Sequence, residues 1–162
     1  MPELPEVQTI VSDLNRKVRG QKILSFWTDW PKLIKVPTPQ AFKNKVKGRR
    51  IQKVERIGKN VAFFLSGNTI LLVHQKMTGH LMVGHWEIRN GKVETTKEGP
   101  FKDRVNQYIH ALFYLSNKKM IALSDMRKFA RIAFGEKEKI LKLKEIDTLG
   151  PDALGPKLTF KE

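Results

Sequence analysis

The stretch that decides the fold is residues 61–74, which have the sequence Val61-Ala-Phe-Phe-Leu-Ser-Gly-Asn-Thr-Ile-Leu-Leu-Val-His74. Two apolar runs, 61–65 and 69–74, flank Ser66-Gly67-Asn68, and this arrangement predicts a β-hairpin. Further short strands are predicted at residues 22–30, 81–86, 109–115, 120–123 and 131–134, with a second hairpin turn at 116–119. Short strands separated by turns favour an antiparallel β-sandwich.

The chain begins with a helical pattern. Apolar residues recur at helical spacing, and they are Val7, Ile10, Val11, Leu14 and Val18. They predict a helix from about Pro5 to Arg19, which Gly20 ends. Thr38-Pro39 predicts the start of a short helix through about Val46. We also expect a charged helix at 136–146 and a surface loop at 87–104. The fold class is therefore mainly β with flanking helices: an antiparallel β-sandwich preceded by a long N-terminal α-helix.

The domain organisation follows from the tail, which is turn-rich and poor in apolar residues from Thr148 to Pro156. We expect residues 1–147 to form one N-terminal domain and residues 148–162 to be a linker.

Composition narrows the function classes. The chain has 162 residues, with 31 Lys plus Arg against 16 Asp plus Glu, a net charge of +15 and a pI of about 10.1. This charge favours nucleic acid as the partner over a membrane. The chain has no cysteine, which excludes disulfides and cysteine-ligated metals, and its four histidines lack metal-ligand spacing, so we expect no metal site. No apolar run is long enough to span a membrane and no signal sequence is seen, so we expect a cytoplasmic monomer.

The first six residues, Met1-Pro2-Glu3-Leu4-Pro5-Glu6, combine an amine and two acids. Removal of Met1 would make the nitrogen of Pro2 a free amine, and an α-amino group has a pKa of about 7.7–8.0, well below that of lysine. Such an amine can attack a carbonyl-type carbon and form a Schiff base, with Glu3 and Glu6 as acids or bases. The alternative is that both prolines only start the helix.

Basic residues are dense from Lys43 to Lys59, with eight cations against one acid, Glu55. This density predicts phosphate contacts, with a solvated face as the alternative. Lys59 follows Gly58 at a turn, where its amine can be aimed. His74 could donate to a phosphate or be bonded to backbone.

Two loops carry side chains that could insert between stacked bases of a nucleic acid. Met77 lies in a polar loop after His74, and Arg127 and Phe129 lie two residues apart after the second hairpin. Such side chains can enter a base stack or read an unpaired base. Alternatively, Met77 and Phe129 pack in the core and Arg127 pairs with Asp125.

Together these pieces resemble the bacterial formamidopyrimidine-DNA glycosylases. The resemblance rests on five motifs in order, which are Met1-Pro-Glu-Leu-Pro-Glu-Val7, Arg56-Ile-Gly-Lys-Asn60, His74-Gln-Lys-Met-Thr-Gly79, Asp125-Met-Arg-Lys-Phe129 and Leu149-Gly-Pro-Asp-Ala-Leu154. It implies base-excision repair of damaged double-stranded DNA: removal of 8-oxoguanine and formamidopyrimidines, and cleavage of the abasic site by β/δ-elimination.

The resemblance also implies roles for single residues. Pro2 would form the Schiff base with C1′, Glu3 would be the general acid/base, and Glu6 would support the site. Lys59 and His74 would hold phosphates, and Lys59 would assist elimination. Met77, Arg127 and Phe129 would fill the gap left by the flipped base. Tyr108 falls where many members have a DNA-contacting histidine, with His110 two positions further on.

The chain departs from the family's pattern in several places. Met126 stands where proline is common, and Ala130 where glycine is common. The family's second half carries a four-cysteine zinc finger, so we expect this chain to be the N-terminal domain alone and to hold no cofactor. A non-catalytic DNA-binding fragment is therefore the alternative function, and general RNA binding is a third.

Overall fold

The computed structural model describes residues 4–74, 80–90, 92–95, 108–126, 128 and 130–142, with residues 4–7 and 95 described by their backbone alone. The helices are α1 (Leu4–Val18), α2 (Pro39–Val46) and α3 (Lys137–Leu141), with a 3-10 turn at Pro31–Leu33. The strands are β1 (Ile23–Thr28), β2 (Ile34–Val36), β3 (Ile51–Ile57), β4 (Asn60–Leu65), β5 (Thr69–His74), β6 (His80–Gly84), β7 (Trp86–Arg89), β8 (Lys92–Thr95), β9 (Ile109–Leu115), β10 (Met120–Ser124) and β11 (Arg131–Glu136).

Two sheets face each other and form a β-sandwich. One has the strand order β1-β9-β10-β6 and the other β2-β11-β5-β4-β3, and every neighbouring pair is antiparallel except β2 and β11. Inward-facing side chains of both sheets share one buried cluster, which includes Phe26, Phe113, Phe63 and Val73. The predicted fold class is confirmed.

Helices α1 and α2 close the two open sides of the sandwich. Helix α1 inserts Val11, Leu14 and Val18 into the shared core and packs along β3 and β6, the last strands of the two sheets. Helix α2 packs against β1 and β2 at the opposite side. There the Phe42 ring meets Phe26 edge-on, with ring centroids 4.8 Å apart. None of the helices in the described part of the chain is long and apolar enough to cross a membrane.

Most of the predicted elements are confirmed within a few residues. The hairpin of β4 and β5 pairs Leu65 with Thr69, and β9 and β10 form the second hairpin. Helix α2 has Thr38 at its N-cap, where the side-chain oxygen accepts a hydrogen bond from the Ala41 amide at 3.3 Å. The domain boundary at residue 147 falls outside the described residues and stays a prediction.

The predicted surface loop at 87–104 is wrong over its first part. Strands β7 and β8 form a two-stranded ribbon there, with Ile88 opposite Val93. The ribbon is anchored by Trp86, which is buried with Met82 and Leu112 on the outer face of the four-stranded sheet. The single predicted strand 81–86 is accordingly split between β6 and β7. The predicted helix at 136–146 begins one residue later and ends at Leu141, while residues 143–146 lie outside the described part.

Candidate functional site

The chain passes from one sheet to the other three times, from β1 to β2, from β5 to β6 and from β10 to β11, and these strands meet at one end of the sandwich, which we call the crossover end. Strand β5 finishes at His74 and β6 starts at His80 in the other sheet, while β10 finishes at Ser124 and β11 starts at Arg131. The registers agree, since Ser124 is opposite His80 and Arg131 is opposite His74. Strand β3 finishes and β4 starts at the same end.

The N-terminal end of helix α1 is also at the crossover end. The Asn15 side-chain oxygen accepts a hydrogen bond from the Val54 amide at 2.8 Å, and the Gln8 side-chain oxygen accepts one from Arg56 Nε at 3.2 Å. The helix therefore runs antiparallel to β3, and its first turn lies beside the end of that strand. Glu6 belongs to this turn by its backbone, whereas its side chain and all of Pro2 and Glu3 lie outside the described residues.

Lys59 is at the tip of the hairpin between β3 and β4, as predicted. Gly58 adopts a left-handed conformation with a φ of 61°, which glycine adopts without steric cost. Arg56 Nη1 donates to the Gly58 carbonyl at 3.2 Å, and the buried Asn60 donates through Nδ2 to the Ile57 carbonyl at 3.1 Å. These hydrogen bonds hold the turn on both sides, so they fix the backbone from which the half-buried Lys59 side chain extends.

Asn60 is a functional candidate that the sequence reasoning missed. It is fully buried, and its Oδ1 lies 2.5 Å from Nδ1 of the buried His74. Because the Asn60 Nδ2 group donates to Ile57, its Oδ1 is the atom that accepts, and Nδ1 of His74 carries the proton. His74 is therefore oriented by a side chain. In the sequence, the available signal was a polar residue directly before the apolar run 61–65, because a buried polar side chain needs a hydrogen-bond partner.

The connection from β10 to β11 is organised by Asp125. This residue is almost fully buried, and its Oδ2 accepts a hydrogen bond from the Ala130 amide at 2.6 Å. Its own amide donates to the Tyr108 carbonyl at 2.9 Å. Met126, the next residue, is 49% exposed. The predicted wedges Arg127 and Phe129 lie outside the described residues, as does Met77, so these assignments stay predictions.

Tyr108 and His110 have different surroundings. Tyr108 is half-buried beside the Asp125 backbone, at the crossover end. His110 lies on β9, where its Nδ1 is 2.9 Å from Asp29 Oδ1 and its ring meets the edge of Trp30 at 5.9 Å. Nδ1 of His110 therefore has the Asp29 carboxylate as its hydrogen-bond partner.

Two cations that the sequence reasoning did not single out lie over the Trp30 ring. Arg131 Cζ is 5.0 Å and Lys128 Nζ is 5.8 Å from the ring centroid. These distances permit cation–π attraction, which fixes both side chains near the start of β11. They add positive charge to the crossover end.

The basic stretch from Lys43 to Lys59 is divided between the two ends of the sandwich. Strand β3 spans seven residues, or roughly 20 Å at the usual rise per residue, and separates Arg50 from Lys59. Only Arg56 and Lys59 are at the crossover end. The stretch therefore cannot act as one phosphate-binding site.

Comparisons with known proteins agree on one family. The sequence model of the family described as formamidopyrimidine-DNA glycosylase N-terminal domain matches residues 1–132 of this chain. The formamidopyrimidine-DNA glycosylase of Protochlamydia amoebophila is 37% identical over 163 residues, which cover 99% of this chain and 52% of the relative. That of Moorella thermoacetica is 33% identical over 156 residues, covering 96% and 52%. The chain thus spans about half the length of the curated relatives it matches.

Solved structures show the same fold. A complex between Lactococcus lactis Fpg and DNA containing FAPY-dG superposes with a TM-score of 0.68 at 23% identity, over 86% of this chain and 46% of that chain. A complex of the same protein with DNA containing an abasic site gives 0.69 at 23% identity, with the same coverage. At 23% sequence identity, these superpositions show a shared fold.

Proposed function

This chain belongs to the formamidopyrimidine-DNA glycosylase family, and from that membership we propose that it acts in base-excision repair of damaged duplex DNA. It removes oxidised purines, 8-oxoguanine and formamidopyrimidines, and cleaves the resulting abasic site by β/δ-elimination. The observation that carries the proposal is the convergence of the α1 N-terminus, the Lys59 turn, His74 and the start of β11 at the crossover end.

Pro2 is the proposed nucleophile. Only Glu3 separates it from Leu4, so the chain keeps it within roughly 7 Å of the helix start. Its amine bonds to C1′ of the damaged nucleotide, the bond from C1′ to the base breaks, and the departing base takes the electron pair and the proton of the amine. Glu3 then donates a proton to the ring oxygen as the bond between C1′ and that oxygen breaks, and the resulting iminium is the Schiff base. This chemistry needs no cofactor.

Elimination then cuts the strand. The iminium makes the C2′ proton acidic, a base removes that proton, and the bond between C3′ and its phosphate oxygen breaks with the electron pair on oxygen. Lys59 assists this step, and Glu6 supports the site. A second elimination releases the other phosphate. Lys59 and His74, which the hairpin and Asn60 hold in place, are proposed to bind the flanking phosphates.

Access to C1′ requires the nucleotide to leave the duplex, at a cost of a few kcal/mol. Met77, Arg127 and Phe129 are the proposed fillers of the gap, with Arg127 facing the unpaired cytosine. Tyr108 and His110 are proposed as further DNA contacts, and the position of Tyr108 beside Asp125 favours it over His110, one of whose ring nitrogens faces Asp29.

The proposal is tested by borohydride trapping on a duplex with one abasic site opposite cytosine. Mass spectrometry first verifies that Met1 is removed, because only then is the Pro2 nitrogen an amine. We expect a covalent product with the chain that has lost Met1 and none with a preparation that keeps Met1, in which the Pro2 nitrogen is an amide. An equal yield of covalent product in the preparation that keeps Met1 would contradict the assignment.

A second candidate function is binding of damaged DNA without catalysis. It is favoured by the coverage of only about half of each curated relative. Under this alternative, the chain would bind an abasic duplex more tightly than an undamaged one, Pro2→Gly would bind equally well, and borohydride would trap nothing in either protein.

A further inference from the structure

The end of the sandwich opposite the crossover end carries a second concentration of positive charge. It is built from the segments 19–23, 45–51, 66–68, 116–119 and 136–137, in which Glu136 is the single acid. We call the following cations the distal basic surface: Arg19, Lys22, Lys45, Lys47, Arg50, Lys118, Lys119 and Lys137.

Backbone hydrogen bonds make these segments one continuous surface. The Lys22 amide donates to Ser116 Oγ at 2.9 Å, and Lys22 forms a β-bridge with Arg50. The Arg50 amide in turn donates to Ser66 Oγ at 3.0 Å, and the Lys137 amide donates to the Asn68 carbonyl at 2.9 Å. The cations are therefore held next to one another although they come from five parts of the sequence.

The surface is also rigid. Arg49 connects two of its segments, since its Nη1 donates to the Ser66 carbonyl at 3.0 Å and its Nε donates to the Lys45 carbonyl at 3.0 Å. A side chain at Gly67 would collide with the Arg49 guanidinium, which lies tightly against that turn. Arg50 Nη1 likewise donates to the Gly20 carbonyl at 2.6 Å, so both arginines bind backbone carbonyls of this end.

Within the described residues, no carboxylate lies at ion-pairing distance from any of the eight cations. Charge of one sign that the protein does not neutralise attracts a polyanion. Serine, asparagine and glutamine side chains lie among the lysines, at Gln21, Ser66, Asn68, Ser116 and Asn117, and these residue types donate to phosphate oxygens.

We propose that the distal basic surface binds the phosphates of a second segment of duplex DNA, separate from the segment held at the crossover end. The two ends are roughly 20 Å apart along β3, and DNA has a persistence length of about 150 bp. A duplex that lies across the crossover end would therefore have to bend sharply round the sandwich to touch the opposite end. Contacts to phosphates alone carry no sequence or lesion preference, so this surface recognises undamaged duplex.

The test uses a short undamaged duplex, so its result is independent of lesion binding and of Pro2. The variant Lys47→Glu/Lys119→Glu reverses two cations that lie on different segments of the surface. The control, Arg89→Glu/Lys92→Glu, makes the same change in net charge at the tip of the β7–β8 ribbon. Stoichiometry and affinity are measured by titration across a range of salt concentrations.

We expect the Lys47→Glu/Lys119→Glu chain to bind one short duplex fewer than the wild-type and control chains, because reversing two cations removes the attraction of this surface for phosphates. Equal behaviour of the two variants would overturn the proposal. Binding to anionic lipid vesicles that undamaged duplex does not displace would also overturn it, because the surface would then serve a membrane.

Discussion

Asn60 and His74 form a buried pair whose proton arrangement has a consequence for phosphate binding. With the Nδ1 proton donated to Asn60, a neutral His74 has its acceptor lone pair on Nε2. Donation from Nε2 to a phosphate therefore requires a second proton, and the imidazolium carries a positive charge. A phosphate contact through Nε2 of His74 would therefore couple DNA binding to proton uptake.

We predict that Asn60→Asp raises the affinity for an abasic duplex at alkaline pH relative to the wild type, because a carboxylate beside Nδ1 favours the charged imidazole. Affinity for an abasic duplex is measured from about pH 6 to about pH 9 at constant ionic strength, with thermal melting to verify folding. His74→Gln is the control, since it keeps a polar side chain but cannot titrate. A wild-type pH profile identical to that of His74→Gln would show that His74 does not act through its proton.

At the scale of elements, the segment from Asp125 to Ala130 depends on one buried carboxylate. We predict that Asp125→Ala lowers the free energy of unfolding by about 1–3 kcal/mol, because it leaves the buried Ala130 amide without its acceptor. Asp29→Ala is the matched control: its carboxylate is 42% exposed beside His110, and its loss should cost less than about 1 kcal/mol. Equal effects in urea unfolding would contradict the anchoring role of Asp125.

The elements that could be predicted from sequence were those with an unbroken local signal. The hairpin at 61–74 combines apolar runs with a turn, and α1 has a clear helical period. A strand was expected before the turn at Gly58, but the bounds of β3 were not predicted because its buried residues, Ile51, Val54 and Ile57, are three apart instead of two. A register irregularity between Ile51 and Lys53 shifts the alternation, and Ile57 faces the outer cluster while Val54 faces the core.

The candidate site was predictable only where a residue lies in a recognisable turn or motif. Lys59 follows Gly58 and was correctly expected at a turn. Asn60, Arg131 and Lys128 act through partners that are distant in sequence, such as His74 and Trp30. Only the pairing of strands brings these partners together, so local patterns in the sequence could not reveal them.

At the scale of the whole molecule, the described part of the chain carries basic residues at both ends of the sandwich. We predict that Lys59→Ala lowers the salt slope for an abasic duplex by about one, because one phosphate contact is lost. Lys53→Ala should leave the slope unchanged, since Lys53 lies in the middle of β3, 3.4 Å from Glu55. An unchanged slope in Lys59→Ala would show that this lysine touches no phosphate.

The packing of α1 along β3 and β6 has a consequence for solubility. These are the last strands of their sheets, and such strands expose backbone groups that can pair with another molecule. Asn15 occupies one of these groups by accepting from the Val54 amide. A chain that lost α1 would therefore uncover two sheet edges and their apolar core at once, and it should aggregate. The helix whose first turn lies at the crossover end is thus also the helix that covers an edge strand of each sheet.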